Sequence, residues 1–189
     1  MSREKAIAKI IPVFRKYGYE GTTLSMLSVA TGLGKASLYH HFPEGKKGMA
    51  TAVMEYVGSN FNNTVLQPLK EEGKPAEKIE KMGQNLKEFY RDGRDGCFLA
   101  IMSFGEADNF FHDLIKQRLQ TWIDTLTQIL IEAEIESKQA KMRSRSASPR
   151  ARSQDAIIQI QGALILVRIL DNTAPFERVV ATLSQKLLE

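Results

Sequence analysis

Between Thr22 and Phe42 the chain reads TTLSMLSVATGLGKASLYHHF, two short stretches of helical periodicity with almost nothing between them. That spacing leaves one local solution, a helix, a tight turn and a second helix. Thr22 and Thr23 offer hydroxyl caps for the first helix. Leu24, Leu27 and Ala30 recur at its period. Gly32 supplies the residue that ends it, where a positive φ is needed, and Leu33 can plug the corner. Lys35 to Phe42 is the second helix, and Pro43 stops it. Leu38 and Phe42 lie four apart and hold this helix against the first. The opposite face carries Lys35, Ala36, Ser37, Tyr39 and His40. A cation, small residues and hydrogen-bonding groups on one face suit phosphates and base edges. The stretch therefore reads as a helix-turn-helix that enters DNA.

Its flanks support that reading. Ser2 can cap a helix whose stripe is Ile7, Ile10, Ile11, Phe14 and Tyr17, with Gly18 at its end. This stripe packs behind the helix-turn-helix and makes a three-helix reader. After Pro43, EGKKGMATAVMEYVGSNF is a long helix starting near Gly45. Lys46 and Lys47 lie in its first turn, while Met49, Val53, Met54, Val57 and Phe61 turn inward. It is a candidate lever between reader and body.

This frame, an amphipathic first helix, then GYEGTTL, then GLGKASLYHHFPEGKKGM, resembles the TetR family of bacterial repressors from Arg3 to Met54. A weaker likeness in GCFLAIMSFGEA and IQGALILVRILDNTAPF points to the LmrA/YxaF-like branch. One departure is Ser28, where the family usually has Ala, and its hydroxyl must find a partner. The resemblance implies an all-α protein with a DNA-binding domain at 1–47 and a helical ligand-binding and dimerising domain at 48–189. It implies a ligand-responsive regulator, a repressor, that binds a palindromic operator as a homodimer. Thr23, Tyr39 and Lys46 would contact phosphates, and Lys35, Ser37 and His40 would meet base edges. The two reading helices would sit in successive major grooves roughly 34 Å apart.

Charge is distributed to match. Residues 1–47 hold eight Lys or Arg against three Asp or Glu, and residues 137–154 hold six against none. The rest is acidic, so the reader faces DNA and the body does not. No apolar run approaches the roughly 20 residues of a membrane span, and MSREKAIAKI is too charged for a signal peptide, so a cytoplasmic protein is expected.

In the body, Ile79, Met82, Leu86, Phe89 and Tyr90 mark one helix. Cys97, Phe98, Leu99, Ile101, Met102 and Phe104 mark another, apolar on most faces and hence buried. Asn109 to Glu136 is long and amphipathic. Residues 137–154, SKQAKMRSRSASPRARSQ, read as a flexible basic loop. Asp155 to Leu170 has apolar residues on more than one face, so one face meets the body and another a second subunit. Phe176, Val179, Val180, Leu183 and Leu187 stripe a final helix. Phe61, Phe89, Phe98, Met102 and Trp122 could surround a flat hydrophobic ligand, with Glu106 or Asp108 as polar contacts.

No catalytic constellation, cofactor loop or metal-ligand spacing is present in the sequence, so neither an enzyme nor a cofactor is expected. Two other readings stay open. Cys97, near a helix start with Arg91 and Arg94 close in sequence, would suit a thiol- or electrophile-sensing regulator. A helical interaction protein with an idle head is the second.

Overall fold

The computed structural model describes residues 1–139 and 147–188. They form an all-α protein, with no strand among the described residues. Helices α1 (Arg3–Tyr17), α2 (Leu24–Thr31), α3 (Lys35–His41) and α4 (Gly45–Phe61) come first. A π-turn at Asn62–Leu66 leads into α5 (Gln67–Lys70). Then follow α6 (Pro75–Phe89), α7 (Phe98–Ile101), α8 (Glu106–Gln139), α9 (Pro149–Leu170), α10 (Ala174–Ala181) and α11 (Leu183–Leu188). The chain divides into two compact units, Met1–Asn60 with Phe98–Ile115, and Phe61–Cys97 with Lys116–Glu189. The expected boundary after residue 47 therefore falls inside the first unit, which takes in most of α4 and the start of α8.

The first unit is built on the expected apolar positions. Ala6, Ile7, Ile10 and Phe14 of α1 are buried together with Leu27, Leu38, Phe42, Met49 and Val53. Phe98, Met102, Ala107 and Phe111 complete this core. Ser2 caps α1 by accepting from the Lys5 N–H at 3.3 Å. Pro12 lies inside α1 but faces solvent, as does Ala8, whose carbonyl loses its donor, so water can replace the missing bond. Two expectations change here. Tyr17, placed in the buried stripe, is the last residue of α1 and is 43% exposed, with Lys16 over its ring. Phe104, placed in a buried helix, is 71% exposed, because α7 ends at Ile101 and Phe104 falls in the turn before α8.

The second unit packs α6 against α5, α10 and α11, and α9 against α10 and α11. Trp122, Leu126, Ile129 and Leu130 of α8 are buried, as are Ile157, Ile160, Leu164 and Val167 of α9. The expected loop at 137–154 is replaced by helix at both its ends. Helix α8 runs on to Gln139, and Ser148 caps α9 from Pro149 by accepting from the Ala151 N–H at 3.2 Å. Residues 140–146 of that expected loop lie outside the described residues. Arg152, read as a solvated loop residue, is buried; its guanidinium donates to the Leu187 carbonyl and to Glu134. Ser153 is fully buried and bonded to Thr127 and the Pro149 carbonyl. The period of α9 thus starts six residues earlier than its apolar run suggests, because the polar residues of its first turns have internal partners.

Helix α9 is long and apolar enough, at 22 residues and a mean hydropathy of 1.2, to match a membrane span by length and composition. Its buried Arg152 and Ser153 and its one core-facing side are those of a helix shared between a protein interior and a surface. Its other side exposes Ile158, Ile165, Leu166, Ile169 and Leu170. Gly162, on that side, has open space where a Cβ would stand.

Candidate nucleic-acid interface

The turn between α2 and α3 is set by short-range bonds. Thr23 is extended and its hydroxyl accepts from the Met26 N–H at 3.2 Å, a side-chain cap. Gly32 is left-handed at φ 72°, ψ 16°, and its N–H returns to the Ser28 carbonyl at 2.8 Å. The Ser28 hydroxyl finds its partner in the Leu33 carbonyl at 2.5 Å. Thr31 donates to the Leu27 carbonyl at 2.7 Å, and its oxygen accepts from the Leu33 N–H at 3.3 Å. Two hydroxyls therefore clasp the corner from inside, and Leu33 is held half-buried.

Helix α3 then divides cleanly. Leu38 is fully buried and Phe42 is 2% exposed. Each such side chain stabilises the unit by about 1.5–3 kcal/mol relative to an exposed one. Lys35, Ala36, Ser37, Tyr39 and His40 are all exposed, as is Thr23 at the start of α2. The five α3 residues form the exposed face of a helix anchored by its other side. His40 and His41 stand edge to face, 5.6 Å between ring centres.

Lys46 behaves differently from its neighbours. It is half-buried, donates to the Tyr19 carbonyl at 3.0 Å and lies 4.2 Å from the centre of the Tyr19 ring. That ring meets Phe110 and Phe111 edge-on, at 5.8 and 6.3 Å. Lys47 sits over Phe110 at 4.6 Å. Glu20 is next in sequence. Its carboxylate accepts from the Glu106 N–H at 2.5 Å and the Ala107 N–H at 3.3 Å, and so caps α8. Its carboxyl is held below the usual range, first by its own backbone N–H, then by the amides of Ala107 and Glu106 and the charge of Lys46. Burial, with the charges of Glu106 and Glu20, pushes the Tyr19 hydroxyl up. Neither Tyr19 nor Glu20 follows from the sequence, because α8 begins 86 residues away; the only local trace is Gly105 immediately before Glu106.

The six residues expected around a ligand fall in different units. Phe61, Phe89 and Trp122 belong to the second, where Phe61 stands edge-on to Phe89 at 5.1 Å and to Trp122 at 4.8 Å. Phe61 and Phe89 are half-buried, while Trp122 is 1% exposed. The Trp122 indole N–H is buried and has no acceptor among the described residues. Phe98, Met102 and Glu106 belong to the first unit: Phe98 and Met102 in its core, Glu106 exposed at the start of α8. Cys97 is buried. Arg91 and Arg94 pair with Asp95 and Asp92, at 3.8 and 3.4 Å.

The family model for bacterial regulatory proteins of the tetR family matches residues 7–53, the span that holds this interface. The chain is similar to an uncharacterised HTH-type transcriptional regulator, YxaF, of Bacillus subtilis (strain 168), with 34% identity over 79 residues, 42% of this chain and 41% of that one. The match thus spans about two-fifths of that relative's length. The biofilm operon icaADBC HTH-type negative transcriptional regulator IcaR of Staphylococcus aureus (strain Newman) is 26% identical over 136 residues, 72% of this chain and 71% of IcaR. The fold matches the crystal structure of regulatory protein TetR from Rhodobacter sphaeroides, with TM-score 0.80 and 19% identity over 97% of both chains. It also matches AibR, solved in complex with isovaleryl coenzyme A and operator DNA, with TM-score 0.69 and 20% identity over 98% of this chain and 97% of AibR. With a helix-turn-helix anchored and exposed in this way, residues 7–53 match the tetR family of bacterial regulatory proteins, and the fold of the chain is that of the solved TetR regulators.

Proposed function

We propose that the protein is a ligand-responsive transcriptional repressor that binds a palindromic operator as a homodimer. The observation that carries this is α3: a helix with Leu38 and Phe42 buried behind it and Lys35, Ala36, Ser37, Tyr39 and His40 bare in front. That face offers a cation, a phenol, an imidazole and a hydroxyl to DNA. Thr23, Tyr39 and Lys46 set register on phosphates, with Lys46 turning out from Tyr19 to do so, and Lys35, Ser37 and His40 read bases. Repression agrees with IcaR, a negative regulator. The exposed apolar side of α9 is the surface through which two copies pair, since five large apolar side chains on one helix are costly to leave in water.

The ligand lies against Phe61, Phe89 and Trp122. It is a small apolar or aromatic molecule with one hydrogen-bond acceptor, placed to take the bare indole N–H. The protein acts in the cytoplasm, where its DNA is.

The test is fluorescence anisotropy on duplex DNA from upstream of the protein's own gene, and on duplexes enriched by genome-wide selection, with scrambled duplex as competitor. A preference of roughly a thousandfold or more for one duplex is expected. It should be lost in the Lys35→Ala, Tyr39→Ala double variant. Equal binding to every duplex would overturn the reading.

A further inference from the structure

Within the first unit, three charged side chains gather near the start of α8. Glu20 accepts from its first two amides. Lys46 rests on the carbonyl and ring of Tyr19, the residue before Glu20, and Lys47 rests on Phe110 of α8. Glu20 therefore has two electropositive neighbours, the N-terminus of α8 and the Lys46 ammonium, and a single charge to share between them. The same helix continues to Trp122.

We propose that Glu20 is the positioning residue through which α8 controls DNA binding. With the first turn of α8 in place, the carboxylate caps that helix and leaves Lys46 able to turn to a phosphate. When that turn withdraws, the carboxylate loses both amide donors, pairs with Lys46 and takes it from the DNA. The inference rests on the operator reading of Lys46 given above, and adds the element that regulates it. The exchange is local and electrostatic: an exposed carboxylate stripped of its donors pairs with a neighbouring cation, here Lys46, whose charge already acts on it.

Gly105 makes this testable. It has φ 64°, and a Cβ there would fall on the Glu20 carboxylate. Gly105→Ala therefore evicts the carboxylate while keeping its charge. Glu20→Asp, one methylene shorter, does the same without touching the backbone. Operator affinity is measured by anisotropy at several salt concentrations for these variants, for Glu20→Gln, for Lys46→Met and for the doubles. Circular dichroism melts confirm that each is folded, and Glu20→Asp serves if Gly105→Ala is not. Gly105→Ala and Glu20→Asp should each weaken operator binding at least about fivefold, and flatten its salt dependence to that of Lys46→Met. Adding Glu20→Gln to Gly105→Ala should restore affinity to within about twofold of the parent, since a neutral amide does not hold the lysine. Adding Lys46→Met to Gly105→Ala should change little further. A Gly105→Ala, Glu20→Gln double variant as weak as Gly105→Ala would overturn the inference, as would a full additional loss from Lys46→Met. Failure of the operator reading itself shows separately, as a parent protein with no preference among duplexes.

Discussion

At the residue scale, the reading helix separates two kinds of contribution. Lys35 is exposed at the first position of α3, so its removal leaves the core untouched and, on the proposed operator reading, takes a donor from one base edge. Lys35→Ala should cost about 1–3 kcal/mol of operator affinity and relax base preference at one position of each half-site. Competition with single-base operator variants measures both. Leu38→Ala should instead cost about 2–5 kcal/mol of stability, because the side chain is fully buried. Denaturant melts would show that loss, and its absence would mean that the unit repacks. Glu20 gives a pH dependence with a definite sign. Its carboxyl is held below the usual range in the folded state, so it favours folding above the ordinary carboxylate pKa of about 4.3, and that contribution fades as pH falls through the lowered value. Glu20→Gln should be less stable than the parent at pH 7, and the gap should close toward pH 3. Urea melts across that range check it; a gap that widens in acid would refute the assignment.

At the element scale, the α2–α3 corner depends on two hydroxyls and one glycine. Gly32 is left-handed, a conformation that costs an ordinary residue about 1–2 kcal/mol. Ser28→Ala removes the donor to the Leu33 carbonyl and should cost about 1 kcal/mol. Thermal melts of Gly32→Ala and Ser28→Ala should show both losses, the glycine's the greater. The Ser28 hydroxyl therefore closes the turn from inside the helix. The second corner, at the start of α9, works through Arg152, which joins Glu134 of α8 to the carbonyl of Leu187 in α11. Arg152→Met removes the guanidinium that joins α8 to α11 at a buried site and should destabilise the second unit by about 3–5 kcal/mol. A second substitution, Glu134→Leu, should recover much of this in the same melt.

At the scale of the whole molecule, the operator reading requires two copies. The five apolar side chains exposed on the outer side of α9 are the proposed pairing surface. Ile165→Lys with Ile169→Lys places like charges on that side and should convert a dimer into monomers. Sedimentation velocity reads the change, and operator affinity should fall with it, because each monomer then holds one half-site alone. A variant that sediments as the parent does would place the pairing surface elsewhere.

What the sequence determined by itself was local. Caps, helical period and the Gly32 turn each depend on residues within four or five positions of one another, so the helix-turn-helix and the two faces of α3 were legible residue by residue. The apolar stripes were legible as well, which is why the cores of both units consist largely of the residues expected in them. Wherever a polar or aromatic residue took its meaning from a distant partner, the sequence was silent or misleading. Arg152 and Ser153 read as loop residues because nothing beside them announces Glu134, Leu187 or Thr127. Phe104 read as core because its period continued past the point where α7 stops. Glu20 and Tyr19 were legible only as part of the GYEGTTL frame and gave no sign of their contacts, since the amides and rings they meet lie more than 80 positions away. Only the tertiary structure brings a carboxylate, two lysines and a helix N-terminus together, because charge and hydrogen bonding act over ångströms in space and leave no period along the chain.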